Sequence, residues 1–348
     1  MSRVLIVCPG RGSYGRTTLG SLQQRSEGAT EILAALDDLR AADDKPTLRH
    51  LDAEPNFRAS LHLAGQHASI LTFGASLADL ADLHDSHEIV GITGNSMGWY
   101  TALVAAGALS LDEGYRLVET MASYQTEKLI GAQLMTPLCP PDWSDAPEMR
   151  QAVHDAVAAA RAAGHQAHWS IDLGTFAVLG TDKGGADFLM KQLPEEKRGP
   201  RTFPAKLPKH AAFHTPLMDT TSARALQDLA DLGLQAPRVP LIDGHGNVWH
   251  PRWACPVAMK RYTLGAQVTE TYNFNLAIRT ALAHTCPDLV VLLGPGNGLG
   301  GATAAAVVDA HWRGVTTKAD LIAHEPPLVR SFGREADQGW LSAPPSPE

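Results

Sequence analysis

EIVGITGNSMGWYTALVAAGALS, residues 88 to 110, holds the fold and the chemistry in one segment. Glu88 to Thr93 reads as a strand buried on both faces, as in a parallel sheet covered by helices. It stops at Gly94. A helical stretch begins near Met97 and runs to about Ala106. Between them, Gly94-Asn-Ser96-Met-Gly98 places a serine on a strand-to-helix turn with glycine two residues to either side. That is the context of a nucleophile elbow. The turn holds the serine in a strained conformation, its neighbours must be small, and the helix N-terminus offers free N–H groups to an oxyanion. A plain strand–turn–helix with a capping serine fits the spacing too; the flanking elements favour the elbow.

Outward from this stretch, Val4 to Cys8 is a second buried-type strand, ending at Pro9-Gly10 and a Gly-rich turn, Gly10-Arg11-Gly12-Ser13. Ile32 to Leu39 and Ala64 to Leu83 are predicted helices. Ser110 caps another, running to about Lys128, with Glu113 placed for a capping box. Gln133 to Leu138, the Ala-rich stretch Ala146 to Ala163, the strand-like His165 to Gly180, Gly185 to Leu193 and Arg201 to Leu207 give a βαββαβ order. A small ferredoxin-like insert has that order. Leu217 to Leu232 is predicted helical, and Val239 to Asp243 and Leu289 to Leu293 are predicted strands. Beyond Leu328 the hydrophobic periodicity fades, which predicts a loose tail.

The chain has 348 residues, 44% hydrophobic and 19% charged, with a formal net charge of -8. Both signs are mixed along it and no basic run stands out, which argues against a nucleic-acid partner. No apolar run reaches the length of a membrane span, and the N-terminal apolar run is too short for a signal peptide. Cys8, Cys139, Cys255 and Cys286 are scattered without a CxxC pair, so neither a disulfide framework nor a zinc knuckle is expected, and a reducing cytoplasm is the default location. Fifteen histidines show no ligand spacing, so no metal is expected.

A serine nucleophile needs a base. His50, His84, His87 and His154 lie in polar surroundings and read as surface residues. His214, in Ala211-Ala-Phe-His-Thr-Pro-Leu-Met218, sits just before a helix whose first turn suits Pro216. Taken alone it reads more readily as a structural histidine than as a base. Gly10-Arg-Gly-Ser13 lacks the Lys-Ser/Thr of a nucleotide loop, and the glycines from Gly294 to Gly301 lack a dinucleotide fingerprint. His245 reads as a surface residue or a pocket neighbour, and Trp249 and Trp253 as local packing.

These pieces together resemble the malonyl-CoA:acyl carrier protein transacylase family, which includes the acyltransferase domains of fatty-acid and polyketide synthesis. The family's PGQGSQ-like loop corresponds to Pro9-Gly-Arg-Gly-Ser-Tyr14, and its GHSLGEYTALVAAGALS to residues 94 to 110. Its FHSPLM segment corresponds to Phe213-His-Thr-Pro-Leu-Met218 and its GPG to Gly294-Pro-Gly296. Weaker matches are Leu63-Ala-Gly-Gln66-His-Ala68 for TxxxQPA and Gln267 to Phe274 for QLxxPVxW. The Asp243-to-Val248 turn stands where the family has an SNV-type turn. The matches run in order through residues 3 to 310.

The resemblance implies an α/β-hydrolase-like large domain with a parallel sheet, over 1–128 and 208–325, a ferredoxin-like small domain over 129–207, and a loose tail over 326–348. It implies a free-standing transferase that carries an acyl group from an acyl-CoA to the phosphopantetheine thiol of an acyl carrier protein. No tightly bound cofactor is implied. Ser96 would carry the acyl group and His214 would be general base and then acid, oriented by the main-chain carbonyl of Gln267. The oxyanion hole would be the N–H groups of Met97 and Arg11. Substrate contacts fall to Arg11, Gln66, Asn95, Met121 and Phe213.

Three positions depart from the family pattern: Arg11 stands for the Gln of PGQGS, Asn95 for the His before the nucleophile, and Met121 for the Arg of RLVxxRG. That last Arg pairs with the malonyl carboxylate in malonyl-specific members, and a buried carboxylate without a partner is costly. Met121 therefore suggests an uncharged acyl group, unless Arg11 supplies the missing cation. Otherwise Arg11 points to solvent or to the coenzyme A phosphates. Hydrolysis of the acyl-enzyme by the same pair, and a non-catalytic carrier-binding role, are the competing readings. Carrier proteins are typically acidic, so Lys191, Lys197, Arg198, Arg201, Lys206 and Lys209 are the expected docking cations.

Overall fold

The N-terminal apolar run becomes a strand, β1 (Ser2–Cys8), in which Val4 to Cys8 have no exposed surface. Successive side chains of a strand point to opposite faces, so both faces of the sheet are covered here. In chain order the other strands are β2 (His87–Gly94), β3 (Ala132–Pro137), β4 (Ala167–Asp172), β5 (Phe176–Thr181), β6 (Glu196–Arg198), β7 (Arg201–Phe203), β8 (Ala205–Lys206), β9 (Leu241–Ile242), β10 (Val248–Trp249), β11 (Tyr272–Asn273), β12 (Leu289–Leu292) and β13 (Val329–Ser331). This is a computed structural model, describing residues 1–343.

The larger sheet runs β10-β9-β2-β1-β12-β13. From β9 to β13 every pairing is parallel, and β10 is an antiparallel edge. The helix Gly98–Ala105 packs on β1 and β2, and the helix Phe274–Thr285 packs on β2, β1 and β9. Its apolar residues form one continuous core with the helices Glu27–Ala42, Gly65–Asp82 and Leu111–Glu127. The side chain of Ser110 caps the last of these by accepting from Glu113 N–H at 3.2 Å. The Glu113 carboxylate does not complete a capping box; it faces Arg116 at 3.9 Å.

The second sheet runs β11-β4-β5-β3-β8, and β3, β4, β5 and β8 alternate antiparallel. With helices Pro147–Ala162 and Lys183–Gln192 between the strands, this is the ferredoxin-like order. It has its own core of Leu134, Leu138, Val153, Val157, Leu179 and Leu189 among others. The stretch from His165 to Gly180 is a hairpin of two strands, turning at Gly174, where φ is +77°. Its edge strand β11 comes from outside the insert and pairs with β4 in parallel.

Five expectations need correction. The strand expected over Arg201 to Leu207 is two short strands, β7 in a separate hairpin with β6 and β8 on the second sheet beside β3. The C-terminal stretch is not loose over its described part. β13 adds to the larger sheet beside β12 and the helix Glu335–Ser342 follows it, burying Val329, Phe332 and Leu341; residues 344–348 lie outside the described residues. The weak periodicity arises because only a few side chains of this short strand and helix point inward. His87 is not a surface residue: it is 7% exposed, with its ring 4.9 Å from that of Trp340 in this C-terminal helix. The helix expected over Leu217 to Leu232 is a short turn, Pro216–Met218, followed by Asp219–Asp228. The strand expected over Val239 to Asp243 is confined to Leu241–Ile242.

Candidate active site

β2 ends at Gly94 and the helix Gly98–Ala105 begins four residues on. Ser96 sits between them at φ +56°, in the left-handed region that a serine rarely occupies. A Cβ on Gly94 would lie 2.4 Å from the Gly98 carbonyl carbon, and a Cβ on Gly98 would lie 2.2 Å from the Cys8 carbonyl oxygen. Only glycine fits at either position, and that tightness fixes the serine. The Asn95 N–H donates to Cys8 O at 3.0 Å and ties the turn to β1.

His214 comes from the segment between the second sheet and the turn at Pro216, and it too has a left-handed backbone, φ +61°. It is 1% exposed. Its N–H donates to Val268 O at 2.7 Å. Ring Nδ1 lies 2.5 Å from the Gln267 carbonyl oxygen, and Nε2 lies 2.7 Å from Ser96 Oγ. A carbonyl only accepts, so Nδ1 carries the proton and Nε2 presents its lone pair to the serine hydroxyl. Burial pulls the His214 pKa down to about 4, from an ordinary 6.5. The ring is neutral near pH 7 and able to take a proton.

Gln267 acts twice. Its side-chain amide donates to Ser96 O at 3.1 Å and accepts from the Tyr100 hydroxyl at 3.1 Å. The Tyr272 hydroxyl donates to Gly94 O at 2.6 Å, and its ring meets that of His214 edge-on at 5.4 Å. Among the described residues, neither the Met97 N–H nor the Arg11 N–H donates to a group of the chain.

A small cavity of about 40 Å³ opens beside Ser96. Arg11, Met97, Met121, Gln125, Phe213 and His214 line it. Arg11 does not point to solvent. Its guanidinium donates to Gln125 Oε1 and, at 3.3 Å, to Leu63 O, and burial lowers its pKa to about 10. His210 lies alongside, with Nε2 3.5 Å from Arg11 O and a pKa lowered by burial to about 4.

Two expected substrate contacts lie off this cavity. Gln66 Nε2 faces the neighbouring His67, and Asn95 is buried against Gly10 behind the turn. Neither belongs to the lining. Sequence reasoning missed Tyr100, Gln125, Gln133 and His210, which do line it. Val118, Met121, Ala122 and Gln125 share one helix face at i, i+3, i+4 and i+7, so extending the helix from Met121 would have found Gln125. His245 sits 3.6 Å from Glu270 in a separate shallow cleft that also touches His214. Trp249 donates to Asp243 Oδ2 at 2.9 Å, and the exposed Trp253 stacks on His250.

No family model and no curated relative matches the chain. Solved structures do. An acyl-carrier-protein S-malonyltransferase from Burkholderia pseudomallei is 20% identical, with a TM-score of 0.74 covering 98% of this chain and 99% of that one. A malonyl-CoA:acyl carrier protein transacylase from Xanthomonas oryzae is 21% identical, with a TM-score of 0.72 and 98% of each chain covered. A malonyl-transacylase in complex with its type II polyketide synthase acyl-carrier protein is 16% identical, with a TM-score of 0.74 over 98% of this chain and 99% of that one. The chain thus has, over nearly its whole length, the two-domain α/β fold of the malonyl-CoA:acyl carrier protein transacylases.

Proposed function

We propose that the chain is an acyl-carrier-protein S-acyltransferase working through an acyl-Ser96 intermediate, with malonyl as the acyl group of the proteins that share its fold. The observation that carries this is the line from Ser96 Oγ through the His214 ring to the Gln267 carbonyl, with distances of 2.7 and 2.5 Å. His214 Nε2 takes the hydroxyl proton as Oγ attacks the thioester carbonyl of an acyl-CoA. The C–O bond forms, and the oxyanion rests on the Met97 and Arg11 N–H groups. The C–S bond then breaks and the leaving thiolate takes the proton from His214. In the second half the phosphopantetheine thiol of the carrier gives its proton to Nε2 and attacks the same carbonyl. Oγ leaves and recovers the proton. The Gln267 carbonyl cannot ionise; it holds the tautomer and steadies the imidazolium, as a triad carboxylate does elsewhere.

Intact mass after mixing with malonyl-, acetyl- and longer acyl-CoA tests this. Ser96 should gain an acyl mass that disappears on adding holo carrier protein and never forms in Ser96→Ala. An adduct that decays to free acid at the same rate without carrier would make the chain a thioester hydrolase. No adduct with any donor would leave a carrier-binding module without catalysis.

A further inference from the structure

The cavity beside Ser96 holds a cation that the chain itself does not neutralise. Arg25, Arg40, Arg198 and Arg330, the least exposed of the paired arginines, each lie on a carboxylate. Among the described residues Arg11 has none; its partners are a neutral amide and a main-chain carbonyl. Its Nε is buried without a hydrogen-bond partner. A half-buried guanidinium away from any anion is left uncompensated unless something else brings the charge. The edge formed by Nε and Nη2 is also the one a carboxylate engages with two parallel bonds. Nε is free, and Nη2 is engaged only at 3.3 Å. One helical turn before Gln125, Met121 is 3% exposed and offers no charge.

We propose that Arg11 is the specificity residue of the acyl cavity, and that it receives the free carboxylate of a short dicarboxylic acyl group of the malonyl class. This rests on Ser96 being the acylated residue. The carboxylate takes the Nε–Nη2 edge while Gln125 keeps Nη1 in place. One loop then does two jobs: the Arg11 N–H faces the reacting carbonyl and its side chain holds the far end of the same acyl group.

The test is the ratio of second-order rates of Ser96 acylation by malonyl-CoA and acetyl-CoA, read by intact mass on the full chain. The unaltered protein should favour malonyl. In Arg11→Gln the ratio should fall by at least about 30-fold, the scale of removing one partner of a buried charge pair. Arg11→Gln combined with Met121→Arg, which returns a cation to the cavity lining, should recover much of the ratio. A thermal melt of each variant checks that it is folded. No malonyl preference in the unaltered protein, or an equal fall for both donors in a folded Arg11→Gln variant, overturns the assignment. Absence of any Ser96 adduct from either donor overturns the acyl-enzyme reading itself, and this one with it.

Discussion

His214 sets the working pH through its surroundings rather than through a charged neighbour. Burial lowers its pKa to about 4, and the Gln267 carbonyl only partly opposes this. A depressed histidine is neutral above its folded pKa, so the base is competent from there upward and is lost as pH falls through that value. His210, at about 4 for the same reason, adds no step at higher pH. The rate of Ser96 acylation should be flat from about pH 8 to 5 and fall toward pH 4, measured by quenched-flow mass spectrometry. An inflection near 6.5 would show that solvent reaches the ring. At this scale Ser96 was legible, because Gly94 and Gly98 mark its turn. His214 was legible only through the FHTPLM resemblance, since its left-handed backbone and its carbonyl partner 53 residues away leave no local trace. Asn95 shows the reverse: adjacency in sequence to Ser96 does not fix where a side chain points.

The small-domain elements carry the expected carrier-docking cations unevenly. Arg198 is paired with Glu196 and donates to Cys139 O, and Lys206 is paired with Asp187 at 2.6 Å. Lys191, Lys197 and Arg201 are exposed, on the helix Lys183–Gln192 and the β6–β7 hairpin. Reversing these three to glutamate should raise the KM for holo carrier severalfold and leave acylation by acyl-CoA unchanged, because surface charge acts mainly on encounter. A KM that stays put would move docking to another face. The helix and the central strands were legible in order and type, but the β6–β7 hairpin was not, since Arg201 to Leu207 reads as one strand. Their pairing with β11 was not, because Tyr272–Asn273 is too short for a periodicity and lies far along the chain from β4.

At the scale of the whole molecule, the C-terminal strand and helix close the larger sheet. Val329, Phe332 and Leu341 are buried, and Arg330 bonds Asp337 at 2.9 Å. Burying each such side chain contributes about 1.5–3 kcal/mol, against a total stability of about 5–15 kcal/mol for a typical protein. Ending the chain after Pro326 should therefore lower the melting temperature by about 10 °C or more, or render the protein insoluble, by differential scanning fluorimetry. An unchanged melt would show that the sheet is complete at β12. The parallel sheet and the insert were legible because buried strands and a βαββαβ order leave strong patterns, whereas an edge element held by a few inward side chains does not. The β11–β4 pairing reaches further. The Thr271 hydroxyl donates to Trp169 O at 2.8 Å, and the Ser170 hydroxyl donates to Phe213 O at 2.8 Å. Phe213, beside His214, and Thr271, four residues past Gln267, are thus tied to the insert. A swing of the smaller domain as a free lid would have to break these bonds or carry His214 with it. Exchanging the insert for another would therefore also change what holds His214 beside Ser96.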